Sequence, residues 1–496
     1  MKTHVRNLFL LPVLVAGFGL LSAGWATAQT FTNLHNFFGA PSEGNYPRTG
    51  VILLGSKLYG TTSAGGSSDR GTIFSINRGG EGFTNLHSFT TTTGYHPQTM
   101  IASGDTLYGT APWGGSADNG TVFAIKTNGT GFTVLHHFEA TAPGPDDPWN
   151  SPTNSEGANP FDLILAGNVL YGTATAGGSS GQGTVFKLNT NGSGFTTLHS
   201  FEAVVIGFPK TNSEGTYPSS LMISGNTLYG VALTGGSAGN GTLFAVNTDG
   251  TGFTTLHHFT QEVLGVINYT NSDGFHPGGK LVSSGNTLFG TAIEGGNSGF
   301  GTVFALNTNG SGFTILHHFT YPPGYPFTIN NSDGANPVDG LILSGNTLFG
   351  MTTYGGSTGW GAIFAVNLDG NGFTTLHNFA APSPSNTNSY GYNAAGGLIL
   401  AGNTLYGTTR ESGDLGYGAV FSLTLPAPPQ LTIVPSGTSA VLRWPTNAFG
   451  FALQSATNLF SPTLWTTVSP APVVVNGQNT VTNSIFGAQK FYRLNQ

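Results

Sequence analysis

Ten of the 13 histidines fall in one recurring segment, Phe-Thr-x-Leu-His-x-Phe, which starts at Phe31, Phe83, Phe132, Phe195, Phe253, Phe313 and Phe373. So many histidines invite a metal reading. Equivalent histidines on successive repeats are too far apart to share one ion, however, because zinc needs its ligands at about 2 Å. Two-residue alternation along a strand puts Phe313, Ile315, His317 and Phe319 on one face, and Thr314, Leu316 and His318 on the other. The first histidine of each segment is therefore expected among aromatic rings between sheets, hydrogen-bonded to backbone or a neighbouring hydroxyl. His137, His258 and His318 occur in three repeats only and are the weaker ligand candidates.

Carboxylates recur as well. Asn-Ser-Asp/Glu-Gly-x-x-Pro places Glu156, Glu214, Asp273 and Asp333 beside Asn, Ser and backbone carbonyls, with Glu43 in a related form. Calcium takes such oxygen ligands, but one carboxylate per repeat is few for a tight site. An Asx-type turn that caps backbone amides before Gly and Pro accounts for the same pattern. Calcium is thus the one cofactor considered, and the expectation is no cofactor. Gly295-Gly296 and its counterparts lack the Lys-Ser/Thr that a phosphate-binding loop requires. No nucleophile elbow, zinc-protease motif or paired-carboxylate motif stands in its required context, so no catalytic residue is assigned. With no cysteine, thiolate chemistry is absent; a net charge of −7 disfavours a nucleic-acid partner.

These residues need strands to position them. Besides the histidine segment, a [Leu/Val]-[Tyr/Phe]-Gly segment and a Gly-[Thr/Ala]-x-Phe segment each occur seven times, the latter ending at Phe74, Phe123, Phe186, Phe244, Phe304, Phe364 and Phe421. Four strands per repeat follow. In the fifth they are expected at Lys280–Ser284, Thr287–Ala292, Gly301–Asn307 and Phe313–Phe319, joined by Asn-Gly and Gly-Asn turns that supply positive φ. No sustained 3.6-residue period exists, so helices should be nearly absent. The repeats open with a fourth-type strand, Phe31–Phe37, and close with a third-type strand, Gly418–Thr424. Pairing of these two would close a ring and remove the open edge. The expected fold is all-β: a seven-bladed β-propeller over 29–425, closed by its N-terminal strand. A Pro-rich linker at 426–430 leads to a small β-sandwich at 431–496.

Strand direction then sorts the loops. Fourth-to-first and second-to-third connections emerge on one face. The long insertions and the exposed aromatics gather there. Loops on a rigid scaffold are where binding concentrates, and aromatic rings flanked by polar groups suit sugars. The candidate ligand-binding residues are Trp113, Trp149, Tyr354, Trp360, Arg410 and Tyr417.

The repeats, with consensus forms FTTLHHF, SGNTLYGTT, GGSxxxGTVFAxN and NSDGxxP, resemble the GloVer tandem repeat of secreted bacterial proteins, named for Gloeobacter and Verrucomicrobia, over about 31–424. The resemblance implies a propeller-like exported protein and no established activity. Such proteins carry varied C-terminal sorting or anchoring elements; a terminal apolar helix with a basic tail is missing from the pattern here. The alternating runs after the linker are similar to fibronectin type III or immunoglobulin-like modules. Lys2, Arg6, the apolar run Leu8–Leu21 and Ala26-Thr27-Ala28 predict a signal peptide cleaved after Ala28, and with it a secreted or cell-envelope location. The mature chain is expected to be monomeric, without a transmembrane segment, and to meet an extracellular glycan or surface protein. The functional expectation is a non-enzymatic binding or cell-surface protein. The alternatives are a carbohydrate-active lyase or hydrolase using the same face, and a structural envelope or adhesion protein.

Overall fold

The structure, a computed structural model, describes residues 29–496 except 40, 42, 145–150, 206–208, 266–267, 323–329, 381–387, 395, 414–415, 427–429, 446–451, 458–464, 470, 477, 485–489 and 496. The predicted signal peptide and Trp149 lie outside the described residues. Strands are the only regular elements among those described. In the fifth repeat they run Phe275–Ser284, Thr287–Glu294, Thr302–Asn307 and Thr314–His318, paired antiparallel in chain order. The first strand starts at Phe275 rather than at Lys280 because Phe275 and Pro277 also pair, with Glu294 and Ala292, ahead of an irregularity between Gly278 and Val282.

The same four-strand order recurs along the chain, giving a propeller-like series of small sheets. A parallel bridge, Lys280 to Gly340, joins the first strands of the fifth and sixth sheets. One sheet draws on both ends of the repeat region: Thr30–Asn36 pairs antiparallel with Ala419–Thr424, which pairs in turn with Thr404–Gly413.

Strand pairing explains the Tyr/Phe-Gly motif. Gly290 on the second strand faces Phe304 on the third, and a Cβ at Gly290 would sit 2.6 Å from the Phe304 ring and 2.7 Å from Leu281. The bare glycine makes room for the aromatic that fills the space between sheets. Phe304, Leu306 and Leu288 are fully buried against Val231, Leu243 and Phe259 of the preceding sheet.

Each fourth strand carries a bulge. In the fifth repeat Phe304 pairs with Ile315 but Val303 pairs with His317, so Leu316 is the extra residue. This corrects the expected alternation: Ile315 faces the preceding sheet, while His317 turns to the following one. One short strand thereby serves both neighbours. Phe313 stacks on Phe304 of its own sheet (5.4 Å) and on His257 of the sheet before (3.9 Å), and His317 stacks on Phe373 of the sheet after (3.7 Å). The stack between His377 and Phe31 (4.0 Å) repeats this contact between the last segment and the first. Phe37, Val51, Leu58, Phe74, Tyr406 and Val420 share a separate buried cluster between the sheet that holds Phe31 and the first sheet.

A second inter-sheet link uses the recurring proline. His276 has φ +54°, and its amide donates to the Asn240 carbonyl of the preceding sheet at 3.0 Å. Pro277 then packs on Gly241, where a Cβ would lie 2.5 Å from the ring. Tyr46-Pro47 makes the same link to Tyr417 and Gly418.

Beyond the linker, Thr432–Ser436, Ser439–Pro445, Gln478–Ser484 and Val473–Val475 form one sheet, and Thr466–Thr467, Ala452–Ala456 and Phe491–Asn495 another. Leu442, Trp444, Leu453 and Val481 are buried together between them. The strand at Gln478–Ser484, a mostly polar run, escapes hydrophobic alternation in the sequence.

Candidate functional site

The first strands of the sheets converge on one cavity of about 590 Å³, with walls from every repeat. The residues one and two places after the recurring proline line it: Arg48 and Thr49, Gln98 and Thr99, Phe161 and Asp162, Ser219 and Ser220, Gly278 and Gly279, Val338 and Asp339. Lys280, Tyr354 and Arg410 complete its polar wall.

Its charges divide into two groups. On one side Asp162 is almost fully buried and saturated: Oδ1 accepts from Thr99 Oγ1 (3.0 Å) and pairs with Lys280 Nζ (3.2 Å), while Oδ2 accepts from the Leu221 amide (2.9 Å). Asp339, held at φ +57°, lines the cavity with its side chain exposed to that space. The surrounding cavity wall, by desolvating its carboxyl, pushes it up to about 7, with the Lys280 ammonium acting in the opposite direction. On the other side lie Arg48 and Arg410. Burial lowers the Arg48 pKa, the like charge of Arg410 lowers it further, and Glu411 opposes both. Ser219 Oγ is buried in the wall without a hydrogen-bond partner. Such a cavity presents anion-binding guanidinium groups, a carboxyl poised near neutrality and hydroxyl donors within one enclosure.

Of the aromatic and basic residues expected to bind, Tyr354 and Arg410 reach this cavity. Trp113 is 43% exposed and its carbonyl accepts from the Tyr95 amide. Trp360 is half-buried and bridges to Gly355; Tyr417 packs edge-on against Tyr46 at 6.1 Å. These three stand outside the cavity wall. Asp162, Lys280, Asp339 and Arg48 are not among the residues expected to bind. A signal for them exists in the sequence, since the first strand is where charged and polar residues change from repeat to repeat.

The recurrent carboxylates have local partners. His136, His199, His257 and His317 contact Glu156, Glu214, Asp273 and Asp333 through Nε2 at 3.0, 2.9, 3.0 and 2.9 Å, and His35 contacts Glu43 at 3.1 Å. Each carboxylate also accepts a backbone amide, for instance Glu202 N to Glu214 (2.9 Å) and Thr320 N to Asp333 (3.0 Å). The expected backbone or hydroxyl partner of these histidines is therefore a carboxylate instead, brought in by the loop to the next sheet. The asparagine of the motif makes the predicted turn: Asn271 Oδ1 accepts from the Gly274 and Gly296 amides at 2.8 and 3.0 Å. The second histidines serve the diglycine loops; His137 and His258 Nδ1 each accept a serine amide at 3.2 Å. Among the described residues, no group of three or more His, Cys, Asp or Glu side chains is placed to hold a metal ion. Nor is any helix among them long and apolar enough to cross a membrane.

Small antiparallel sheets in series, with their first strands around a common cavity, define an all-β, propeller-like repeat protein. The chain belongs to the Gloeobacter/Verrucomicrobia repeat family, whose model matches residues 25–211 and 148–328. No curated protein matches it. Similar solved structures include an oligogalacturonate lyase in complex with manganese (11% identity, TM-score 0.47, covering 80% of this chain and 93% of that one). An oligogalacturonate lyase from Vibrio parahaemolyticus is similar at 8% identity and TM-score 0.48, over 80% of this chain and 97% of that one. The computationally designed Ika8 protein is similar at 11% identity and TM-score 0.41, over 77% of this chain and 98% of that one.

Proposed function

We propose that the protein is an exported, non-enzymatic binding protein that recognises a glycan or another polar extracellular ligand. Residues 29–425 act as a closed seven-bladed β-propeller, and its axial cavity and loop-rich face receive the ligand. The terminal domain, taken as a fibronectin type III- or immunoglobulin-like module, serves spacing, adhesion or sorting, and the signal peptide directs secretion or delivery to the cell envelope. The carrying observation is the cavity wall. Repeats that are nearly constant elsewhere place Arg48, Gln98, Asp162, Ser219, Lys280 and Asp339 there, a set that changes from repeat to repeat apart from the aspartate common to the third and sixth. Side chains that serve the scaffold recur in nearly every repeat; these do not. A sugar-sized cavity with hydrogen-bonding groups around two aromatics, Phe161 and Tyr354, fits a polyhydroxylated ligand, and its volume lies within the roughly 300–1,000 Å³ of small-ligand sites.

One observation favours a second reading, a carbohydrate-active enzyme. Asp339 has a carboxyl near pH 7, as a general acid or base requires. A glycan array on the mature protein, run beside a polysaccharide-depolymerisation screen, separates the two. Binding without turnover supports the binding protein. Turnover abolished by Asp339→Asn supports the enzyme, and silence in both assays sinks both in favour of a structural envelope protein.

A further inference from the structure

Arg48 and Arg410 form an unusual pair. They come from neighbouring sheets, the first and the one that unites both ends of the repeat region, and both line the axial cavity. Arg48 has no hydrogen bond or ion pair among the described residues, and its pKa is held down by burial and by Arg410. Arg410 Nε is buried without a hydrogen-bond partner, with the Glu411 carboxylate 3.9 Å away, too far for a hydrogen bond. Among the described residues one carboxylate, Glu411, stands beside the two guanidinium groups, a local surplus of positive charge in a chain whose net charge is −7. Two partly desolvated cations repel, and an anion between them would relieve both the repulsion and the unused donors. Elsewhere in the cavity Lys280 is already neutralised by Asp162, so the unspent positive charge lies with the arginines. The unpartnered Ser219 hydroxyl and the Asp339 carboxyl offer contacts for uncharged hydroxyl groups.

We propose that the axial cavity selects an anionic saccharide, its charged substituent held by Arg48 and Arg410 and its hydroxyl groups set against Ser219 and Asp339. This inference rests on the binding reading above and names the class of ligand. Guanidinium forks recognise carboxylate and sulfate oxygens alike, so the charge is assigned here and its chemical source is left to the probes.

Titration calorimetry of the mature protein with D-glucuronate, D-glucose 6-sulfate and D-glucose tests it. At least one anionic sugar should bind at least tenfold more tightly than glucose, and the tighter of the two identifies the source of the charge. Arg48→Gln and Arg410→Gln should each weaken that binding by about 10- to 100-fold, the effect of losing a charge-assisted contact. Melting temperature should stay close to the parent value. Arg410→Lys, which keeps the charge but loses the fork, should recover part of the affinity. Lys126→Gln, which removes an exposed cation paired with Asp105 and outside the cavity lining, should change nothing. Glucose binding as tightly as both anions, or anion binding indifferent to both arginine changes, would overturn the inference while leaving a neutral glycan as ligand. A blank glycan array together with blank titrations would remove the binding reading as well.

Discussion

His257 and His317 each combine a ring stacked at 3.7–3.9 Å on a phenylalanine of the next repeat with an Nε2 contact to an aspartate. Removing either ring abandons a buried carboxylate and half of a stack. His257→Ala and His317→Ala should therefore lower stability by about 1–3 kcal/mol in urea unfolding, without affecting ligand binding. His87 and His377 stack in the same way, but their Nε2 atoms are buried without a partner, and burial lowers both to about pKa 4. The folded value lies below the ordinary 6.5, so the unfolded chain takes up protons first. The stability these two contribute is complete above about pH 6.5 and is lost as pH falls toward 4. Asp339 acts in the opposite sense. Its folded value, about 7 against an ordinary 3.8, gives a contribution present at low pH and lost as pH rises through 7. Unfolding free energy measured from pH 7 to 4 should decline less steeply in His87→Gln/His377→Gln and more steeply in Asp339→Asn. Equal slopes in all three proteins would show that these groups do not control acid stability.

At the level of strands, the glycine of the Tyr/Phe-Gly motif and the proline that follows the loop in six of the repeats fix how sheets pack. Gly290→Ala would drive a methyl into Phe304 and Leu281, and overpacking of this kind costs about 1–3 kcal/mol, readable in the unfolding midpoint. The strand Thr30–Asn36 is the outer strand of a sheet whose other members lie near residue 400. Deleting 29–38 would leave Ala419–Thr424 as an open edge, take Phe31 from its stack on His377 and empty the buried site of Phe37. Large apolar side chains contribute about 1.5–3 kcal/mol each on burial, against a total stability of about 5–15 kcal/mol. The truncated protein should lose cooperative unfolding throughout the repeats. A melt as high and as sharp as the parent's would contradict ring closure.

Across the whole molecule, the recurring residues serve the scaffold and the varying ones converge on the axis. Glu156, Glu214, Asp273 and Asp333 each contact a histidine and accept a backbone amide, which supports a scaffold that stands without calcium. Thermal unfolding with excess chelator should superimpose on the untreated melt. A fall of several degrees, restored by calcium, would reassign these carboxylates as ligands. Alanine at Tyr354 should weaken binding of the cavity ligand several-fold and leave the melting temperature nearly unchanged, since its ring is 41% exposed on the cavity wall.

Strand type, repeat length, turn chemistry and the pairing of Phe31–Phe37 with the last repeat strand were legible in the sequence, because each follows from local periodicity, from Gly and Asn at positive φ, or from counting strand types. The turn at Asn-Ser-Asp-Gly was legible for the same reason: Asn271 bonds backbone three residues away. The facing of His317 was not. A bulge at Leu316 reverses a strict two-residue pattern, and no residue type marks it. Nor was the carboxylate partner of each histidine legible, since 16 residues separate His317 from Asp333 and only packing of one sheet on the next brings them together. The cavity was legible in part: Tyr354 and Arg410, singled out from the sequence, line it, whereas Arg48, Asp162, Lys280 and Asp339 escaped for a related reason. Aromatic loops are conspicuous in sequence, while these charged residues stand alone in separate repeats. They become one constellation only when the first strands meet around an axis, and convergence of distant, single residues is a property of the tertiary fold alone.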